Sequence, residues 1–208
     1  RKTMILAALT MYDIKYCDYK TLTKLLPKER LDKIDSYKTE SSKLESLASG
    51  LLLRHLLEQY GCKNYSFSYN KYGKPYIERG PHFSLTHSNK LVCCAVSDNN
   101  IGIDAEFISA ARDNVARRSF SSEEYASYST ASDHTSEFYR LWTRKEAYLK
   151  YIGTGLASPM YKFNTLSPDI DSMLQSIRLH NYWLSICIKE KAGPILQFLN
   201  FSDIITEY

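Results

Sequence analysis

The chain has 208 residues, 44% of them hydrophobic and 24% charged, with a formal net charge of +4. That is the composition of a soluble globular protein, long enough to bury a core as one large domain or two small ones. No apolar run approaches the roughly 18–20 residues that a helical membrane span requires, which excludes that class.

The charge is uneven. Residues 1–103 carry 16 Lys and Arg against 10 Asp and Glu, whereas residues 104–208 carry 11 against 13. An N-terminal half that holds anionic groups and a C-terminal half that supplies metal ligands would produce this asymmetry, and so would a solvated surface. The five cysteines, at 17, 62, 93, 94 and 187, form no Cys-x-x-Cys pair. Cys93 and Cys94 would face opposite sides of a strand, which argues against a shared zinc site. Reduced, mostly buried thiols in a cytoplasmic protein are the expectation.

In chain order, the basic and then apolar start through Leu9 runs directly into Tyr12 and Asp13, so residues 3–12 read as a first strand rather than a signal peptide. Pro27 followed by Lys28, Glu29 and Arg30 marks a helix start. Leu44, Leu47, Ala48, Leu51, Leu52, Leu56 and Leu57 recur at spacings of three and four, predicting an amphipathic helix over 41–60 stopped by Gly61. Tyr65, Phe67 and Tyr69 alternate as a strand, and residues 70–75 form a turn around Gly73. Short strands follow at 83–85, 91–96 and 101–107, with Thr86, His87 and Ser88 read as a tight polar turn suited to an anion. Phe-Ser-Ser-Glu-Glu-Tyr (120–125) offers a serine N-cap with acids in the first turn. A second long helix covers about 136–152 and ends at Gly153 or Gly155. Residues 177–180 and 183–188 alternate as a hairpin, and the apolar tail reads as strand. Helices followed by strands in each half predict an α+β fold of two similar lobes, 1–102 and 103–208, closely packed because no flexible linker separates them.

Two segments carry chemistry. In Ile-Gly-Ile-Asp-Ala-Glu (101–106), Asp104 and Glu106 leave the same face of a strand flanked by apolar residues. Buried same-face carboxylates repel and desolvate each other unless a cation holds them. Gly102 before them leaves room for a backbone or substrate to approach. In Leu-Trp-Thr-Arg-Lys-Glu-Ala-Tyr-Leu-Lys (141–150), Glu146 and Lys150 are neighbours four apart on a helix that is apolar nearly all round. If the two faces meet, three carboxylates and an ammonium surround one point, a place for a hard divalent cation and a phosphate. Lys74 in Tyr-Gly-Lys-Pro (72–75) is a further turn cation.

Taken in order, Tyr-Gly-Lys-Pro (72–75), Phe-Ser-Leu-Thr-His-Ser (83–88), Ile-Gly-Ile-Asp-Ala-Glu (101–106), Trp-Thr-Arg-Lys-Glu-Ala-Tyr-Leu-Lys (142–150) and Gly-Thr-Gly-Leu (153–156) resemble the 4′-phosphopantetheinyl transferases of the Sfp-type, single-chain pseudodimeric class. The resemblance covers about residues 27–165. It implies a pseudo-twofold pair of lobes with the active site at their interface, coenzyme A in the N-terminal lobe and metal and catalysis in the C-terminal one. It implies Mg²⁺ held by Asp104, Glu106 and Glu146, with Glu146 and Lys150 as catalytic residues. Lys74, Thr86 and His87 match positions that bind the nucleotide and its 3′-phosphate. Arg54 and Ser46 lie on the helix that approaches the adenosine part; where the family carries a basic pair after the first-helix proline this chain departs, reading Pro-Lys-Glu-Arg-Leu-Asp-Lys (27–33), with Lys28, Arg30 and Lys33 as the candidates. The chain departs from the family in Ala105, which cannot ligate, and in Gly-Thr-Gly where Gly-Lys-Gly is more usual.

The implied activity moves the phosphopantetheine arm of coenzyme A onto a serine of an acyl or peptidyl carrier protein. The implied protein is a cytoplasmic monomer with no nucleic-acid or membrane partner. Arg112, Arg117, Arg118 and Phe120 are the expected carrier-binding patch. Two other readings fit the residues: a metal-dependent nuclease, weakened by the acidic balance of the metal-bearing half, and a non-catalytic module that binds coenzyme A or a carrier helix, for which three carboxylates are unneeded.

Overall fold

The computed structural model describes residues 5–10, 19–189 and 195–205, and in residues 5–10, 156, 195 and 205 the backbone only. Cys17 and the ends of the first predicted strand lie outside the described residues. The fold is α+β and divides into two compact units, one comprising 1–68, 75–98 and 194–208, the other 69–74 and 99–193.

In the first unit, β1 (Ile5–Thr10), β4 (His82–Ser88), β5 (Leu91–Ser97) and β9 (Ile195–Leu199) form a sheet in the order β4-β5-β1-β9. Neighbours are antiparallel except β1 and β9, which pair in parallel. Every residue of β5 is buried, Cys93 and Cys94 on its two faces included. The helices α1 (Tyr19–Thr23), α2 (Lys28–Asp35) and α3 (Glu40–Gln59) complete the unit with α8 (Phe201–Ile205). Thr39 caps α3 by accepting from the Ser42 N–H at 3.2 Å. At the other end Gly61, at φ 87°, takes the left-handed step, and the Gly61 and Cys62 N–H groups return to the carbonyls of Glu58 and Leu57.

α3 covers the span its leucine spacing predicts, but the amphipathic pattern does not leave one side to solvent. Residues 46–53 and 55–57 are buried, so it is covered nearly all round. The physical reason is that α1, α2 and α8 pack on it as well as the sheet. Two of its buried polar groups are served locally: Ser49 donates to the Glu45 carbonyl at 2.8 Å, and the His55 ring shares a 2.9 Å hydrogen bond with Gln59. Two further expectations are corrected. Only Ser68–Tyr69 (β2) of the 65–69 alternation is strand, because Tyr65 and Phe67 pack as loop residues against the first core and each other. The apolar tail is a strand only to Leu199. Phe201 and Ile204, three apart, then bury the same face of α8.

The second unit is built on the antiparallel sheet β6-β8-β7, from β6 (Ile101–Phe107), β7 (Leu174–Leu179) and β8 (Tyr182–Ile188), with α6 (His134–Ile152) laid across it. The helices α4 (Asp113–Ser119), α5 (Ser122–Thr130) and α7 (Pro168–Asp171) fill in around it. Phe138, Tyr139 and Leu141 of α6 join Phe120 and Tyr128 in a largely aromatic core, with the rings of Phe138 and Trp142 stacked. Gly102 brings α6 and β6 together. A Cβ there would lie 2.0 Å from the Ala147 carbonyl oxygen and 2.4 Å from the Tyr151 nitrogen, so the helix backbone rests directly on the strand. Among the described residues, no helix is long and apolar enough to cross a membrane.

A fully buried ion pair ties α6 to its surroundings. Lys145 Nζ lies 2.7 Å from Glu124 Oε2, and both side chains are wholly inaccessible. The ammonium also donates to the carbonyls of Met160 (2.7 Å) and Phe163 (2.8 Å). Glu124 accepts from the Ser121 N–H in a capping box that starts α5, and from the Thr165 N–H and hydroxyl. Burying two charges is tolerated because each is fully hydrogen-bonded.

Two outcomes follow for stability. Lys145→Met leaves a buried carboxylate uncompensated and should cost about 3–5 kcal/mol in urea unfolding, while Glu124→Gln combined with Lys145→Met recovers part of that loss. A double variant no more stable than Lys145→Met alone would contradict this account. Gly102→Ala should cost at least about 1–3 kcal/mol by levering α6 off β6, read by thermal unfolding.

Candidate functional site

The acidic segment and the helical segment of the sequence meet within the second unit. β6 alternates, so Gly102, Asp104 and Glu106 share one face, and at Gly102 that face is the one on which α6 lies. The contact with Gly102 runs through Ala147, Lys150 and Tyr151, one turn of α6 that follows Glu146 directly. Lys150 reaches back across the junction, its Nζ 2.8 Å from Asp104 Oδ1. Asp104 is buried at 5% exposure, whereas Lys150 is half-buried.

Glu146 reports the electrostatics. Burial first, and then the Asp104 carboxylate, push its carboxyl up to about 7; the Lys150 ammonium pulls it down, and Glu106 adds a smaller upward push. Glu146 therefore feels both other acids, and the ammonium only partly offsets their repulsion of it. Beside Asp104 the sheet carries hydroxyls: Ser185, its partner on β8, shares hydrogen bonds with Thr143 (2.8 Å) and Ser176 (2.9 Å). Arg144, one residue before Lys145, is buried against the Thr165 carbonyl and Asp171.

Among the described residues no group of three His, Cys, Asp or Glu side chains is drawn tightly enough together to be a ready-made metal site. The donor chemistry nevertheless fits a hard cation: the candidates are all carboxylate oxygens, their repulsion is only partly relieved at Glu146, and a Lys150 ammonium stands on Asp104 as a monovalent counter-charge. Asp104, Glu106 and Glu146 are the residues that could hold such an ion.

The remaining sequence-derived candidates fall as follows. Lys74 belongs to the same unit as the acids, and its Nζ donates to the Lys150 carbonyl at 2.5 Å. Partial burial lowers its pKa below the usual lysine range. Thr86 and His87 belong to the first unit and are not in a turn: they are the last residues but one of β4, whose hairpin turn is Asn89-Lys90 in the left-handed region. As neighbours on a strand they point to opposite faces, Thr86 buried and His87 exposed. The His87 Nδ1 lies 3.3 Å from Glu45 Oε2 on α3. The turn of two hydroxyls and an imidazole predicted at 86–88 is thereby corrected, because the β4–β5 ladder continues to Ser88.

On α2, Lys28 and Lys33 are exposed, and Arg30 turns inward to donate to the Ser46 carbonyl at 2.8 Å beside Gly50. Ser46 itself is buried at 2% exposure. Arg54 bonds Glu58 (2.9 Å) and the Leu25 carbonyl (2.7 Å), bracing α3 against the α1–α2 junction. Of the patch after the acidic strand, Arg112, Arg117 and Arg118 are exposed, with the Arg117 guanidinium over the Tyr125 ring. Phe120 is not surface: it is 4% exposed and packs on Tyr128 and Phe138, because the chain turns inward to start α5. Sequence reasoning missed Glu124 and Lys145. The Ser-x-x-Glu spacing at 121–124 was a usable signal for the cap, but nothing local announces that its carboxylate meets Lys145.

Residues 100–193, which contain all of β6 and α6, match the family model described as the 4′-phosphopantetheinyl transferase superfamily. The chain is 34% identical over 147 residues to the 4′-phosphopantetheinyl transferase gsp of Aneurinibacillus migulanus, covering 68% of this chain and 62% of that one. It is 32% identical over 143 residues to the 4′-phosphopantetheinyl transferase Sfp of Bacillus subtilis (strain 168), covering 65% and 64%. With the 4′-phosphopantetheinyl transferase ffp of Bacillus subtilis it shares 32% identity over 152 residues, 69% of this chain and 67% of that one. The chain thus spans between about half and two thirds of the length of these and similar curated relatives. With the Asp-x-Glu strand and the Lys-Glu helix inside the matched region, the chain belongs to the 4′-phosphopantetheinyl transferases, of the Sfp type.

Proposed function

We propose that the protein transfers the 4′-phosphopantetheine arm of coenzyme A to a serine of an acyl or peptidyl carrier protein. One observation carries this reading: α6 rests on Gly102 of β6, so that Glu146 feels the charges of Asp104 and Glu106 while Lys150 bonds Asp104. In this reading Asp104, Glu106 and Glu146 hold Mg²⁺, which when bound supplies positive charge to the pyrophosphate of coenzyme A. Lys150 balances negative charge at the reacting phosphate. The carrier serine oxygen attacks the phosphorus that bears the pantetheine arm. The bond from that phosphorus to the bridging pyrophosphate oxygen breaks, and adenosine 3′,5′-bisphosphate leaves. The serine proton passes to Glu146, whose carboxylate acts as the general base. Lys28, Lys33, Lys74, Thr86 and His87 are assigned to the nucleotide and its phosphates. Arg30, Arg54 and Ser46 are assigned to the same end of the substrate through the α2–α3 scaffold they hold.

Each unit by itself is a long helix on a sheet, α3 on the first and α6 on the second, which supports reading them as two similarly built lobes. Exposed Arg112, Arg117 and Arg118 are assigned to the acidic helix of the carrier. The protein is read as a cytoplasmic monomer.

Incubating a panel of apo carrier proteins with the chain, coenzyme A and MgCl₂ should add the phosphopantetheine mass to at least one of them by mass spectrometry. Asp104→Ala and Glu146→Gln should each lower the rate at least about 100-fold. No gain on any carrier sinks the reading.

The site also predicts a pH signature. Glu146 keeps its proton to about 7 in the folded chain against 4.5 as an ordinary carboxyl. Folding is therefore favoured below that ordinary value and loses this contribution as pH rises through about 7, by about 1–2 kcal/mol after solvent screening. Thermal unfolding at pH 5 to 8 without divalent cations should show the fall. Saturating Mg²⁺ or Glu146→Gln should abolish it, and a fall that persists under both would contradict the assignment.

A further inference from the structure

The turn that follows β2 holds the C-terminal end of α6, and one side chain organises it. Asn70 Oδ1 accepts from the backbone N–H groups of Tyr72 and Lys74, both at 2.9 Å, closing the turn over Gly73 at φ 84°. The Asn70 N–H and the Lys74 carbonyl close it from the other side at 3.0 Å. The opposite end of the same amide, Nδ2, donates to the Gly153 carbonyl at 2.8 Å, across 83 residues of sequence. Lys74 Nζ donates to the Lys150 carbonyl.

A helix ends with carbonyls that have no partner within it. In α6 the Leu149 carbonyl is taken by the Gly153 N–H, and those of Lys150 and Gly153 are taken by the 70–74 turn. The Lys74 ammonium also lies at the negative end of the helix dipole. Gly153 allows the approach twice over, by its φ of 73° and by its missing Cβ, which would stand 3.2 Å from Asn70 Nδ2. Last turns of helices fray unless they are tied, and Lys150 is in the last turn with its ammonium on Asp104.

We propose that Asn70 is a positioning residue for Lys150: it locks the 70–74 turn onto the final carbonyls of α6 and so fixes the direction from which the Lys150 ammonium meets Asp104. The inference rests on the transfer reading for the role of Lys150, but not for the contact itself. Asn70 touches no reacting atom in this account; it acts through the helix end.

The test uses Asn70→Asp, which keeps the acceptor for Tyr72 and Lys74 and removes the donor to Gly153, with Asn70→Ala removing both. The first readout is amine labelling of the full chain by acetic anhydride, quantified at each lysine by mass spectrometry. Asn70→Asp should raise labelling of Lys150 about 3–10-fold relative to wild type and leave Lys145 protected. The second is steady-state transfer to a carrier protein. Asn70→Asp should lower kcat about 5–10-fold with KM for coenzyme A unchanged, and the loss should vanish in a Lys150→Met background. Unchanged Lys150 labelling in both variants overturns the proposal, as does a kcat loss that adds in full to that of Lys150→Met. If the wild-type chain transfers to no carrier, the transfer reading fails, and the labelling result alone then decides whether Asn70 positions Lys150.

Discussion

The functional half of this protein depends on the close approach of a helix backbone to a strand at Gly102. Any side chain there would collide with the peptide groups of Ala147 and Tyr151. Because a strand alternates, the face that admits α6 at position 102 is also the face of Asp104 and Glu106. Because a helix repeats every 3.6 residues, the turn that touches Gly102 carries Lys150 and follows Glu146. One missing methyl group therefore decides that acids from two distant segments share a field. Much of the raised Glu146 carboxyl and the Lys150–Asp104 bond are consequences of that approach.

α6 is fastened along its length by groups that do no chemistry. At its start, Ser136 accepts from Arg178 and the Trp183 indole. In its middle, Thr143 meets Ser185, and Lys145 enters the buried cage of Glu124, Met160, Phe163 and Thr165. At its end the 70–74 turn takes two carbonyls. Residues 143 to 145 thus anchor the helix, and Glu146 next to them belongs to the acidic group. Lys145 and Glu146 illustrate the division: adjacent in sequence, one is sealed at zero exposure and the other faces Asp104. Adjacent helical residues point about 100° apart, so the anchor holds the helix without occupying the site.

Legibility in the sequence followed the range of the interactions. A long helix ending at Ile152, the Asp-x-Glu strand, a serine cap before α5, the Gly61 stop and a hairpin near 177–188 are local patterns, and all were readable from spacing and capping chemistry, although α6 starts at His134, two residues before the expected position. Errors arose where a neighbour distant in sequence overrode the local signal. The leucine spacing of α3 implied one polar face, but α1, α2 and α8 cover it. Thr86-His87-Ser88 has turn-like composition, yet pairing with β5 extends the strand through it. Phe120 beside three arginines suggested a binding patch, yet the ring belongs to the second core.

The sequence by itself determined which residue types could do phosphoryl chemistry and the ordered motifs that place the chain in its family. It did so because carboxylate spacing and helix periodicity are properties of a few adjacent residues. Only the tertiary structure decided that Glu146 feels Asp104 and Glu106, and that Lys145 pairs with Glu124 rather than with a ligand. It also decided that Arg30 and Arg54 brace α3, and that β9 returns beside β1. These outcomes depend on desolvation and on contacts between segments tens of residues apart, and burial and partner are set only when the whole chain has packed.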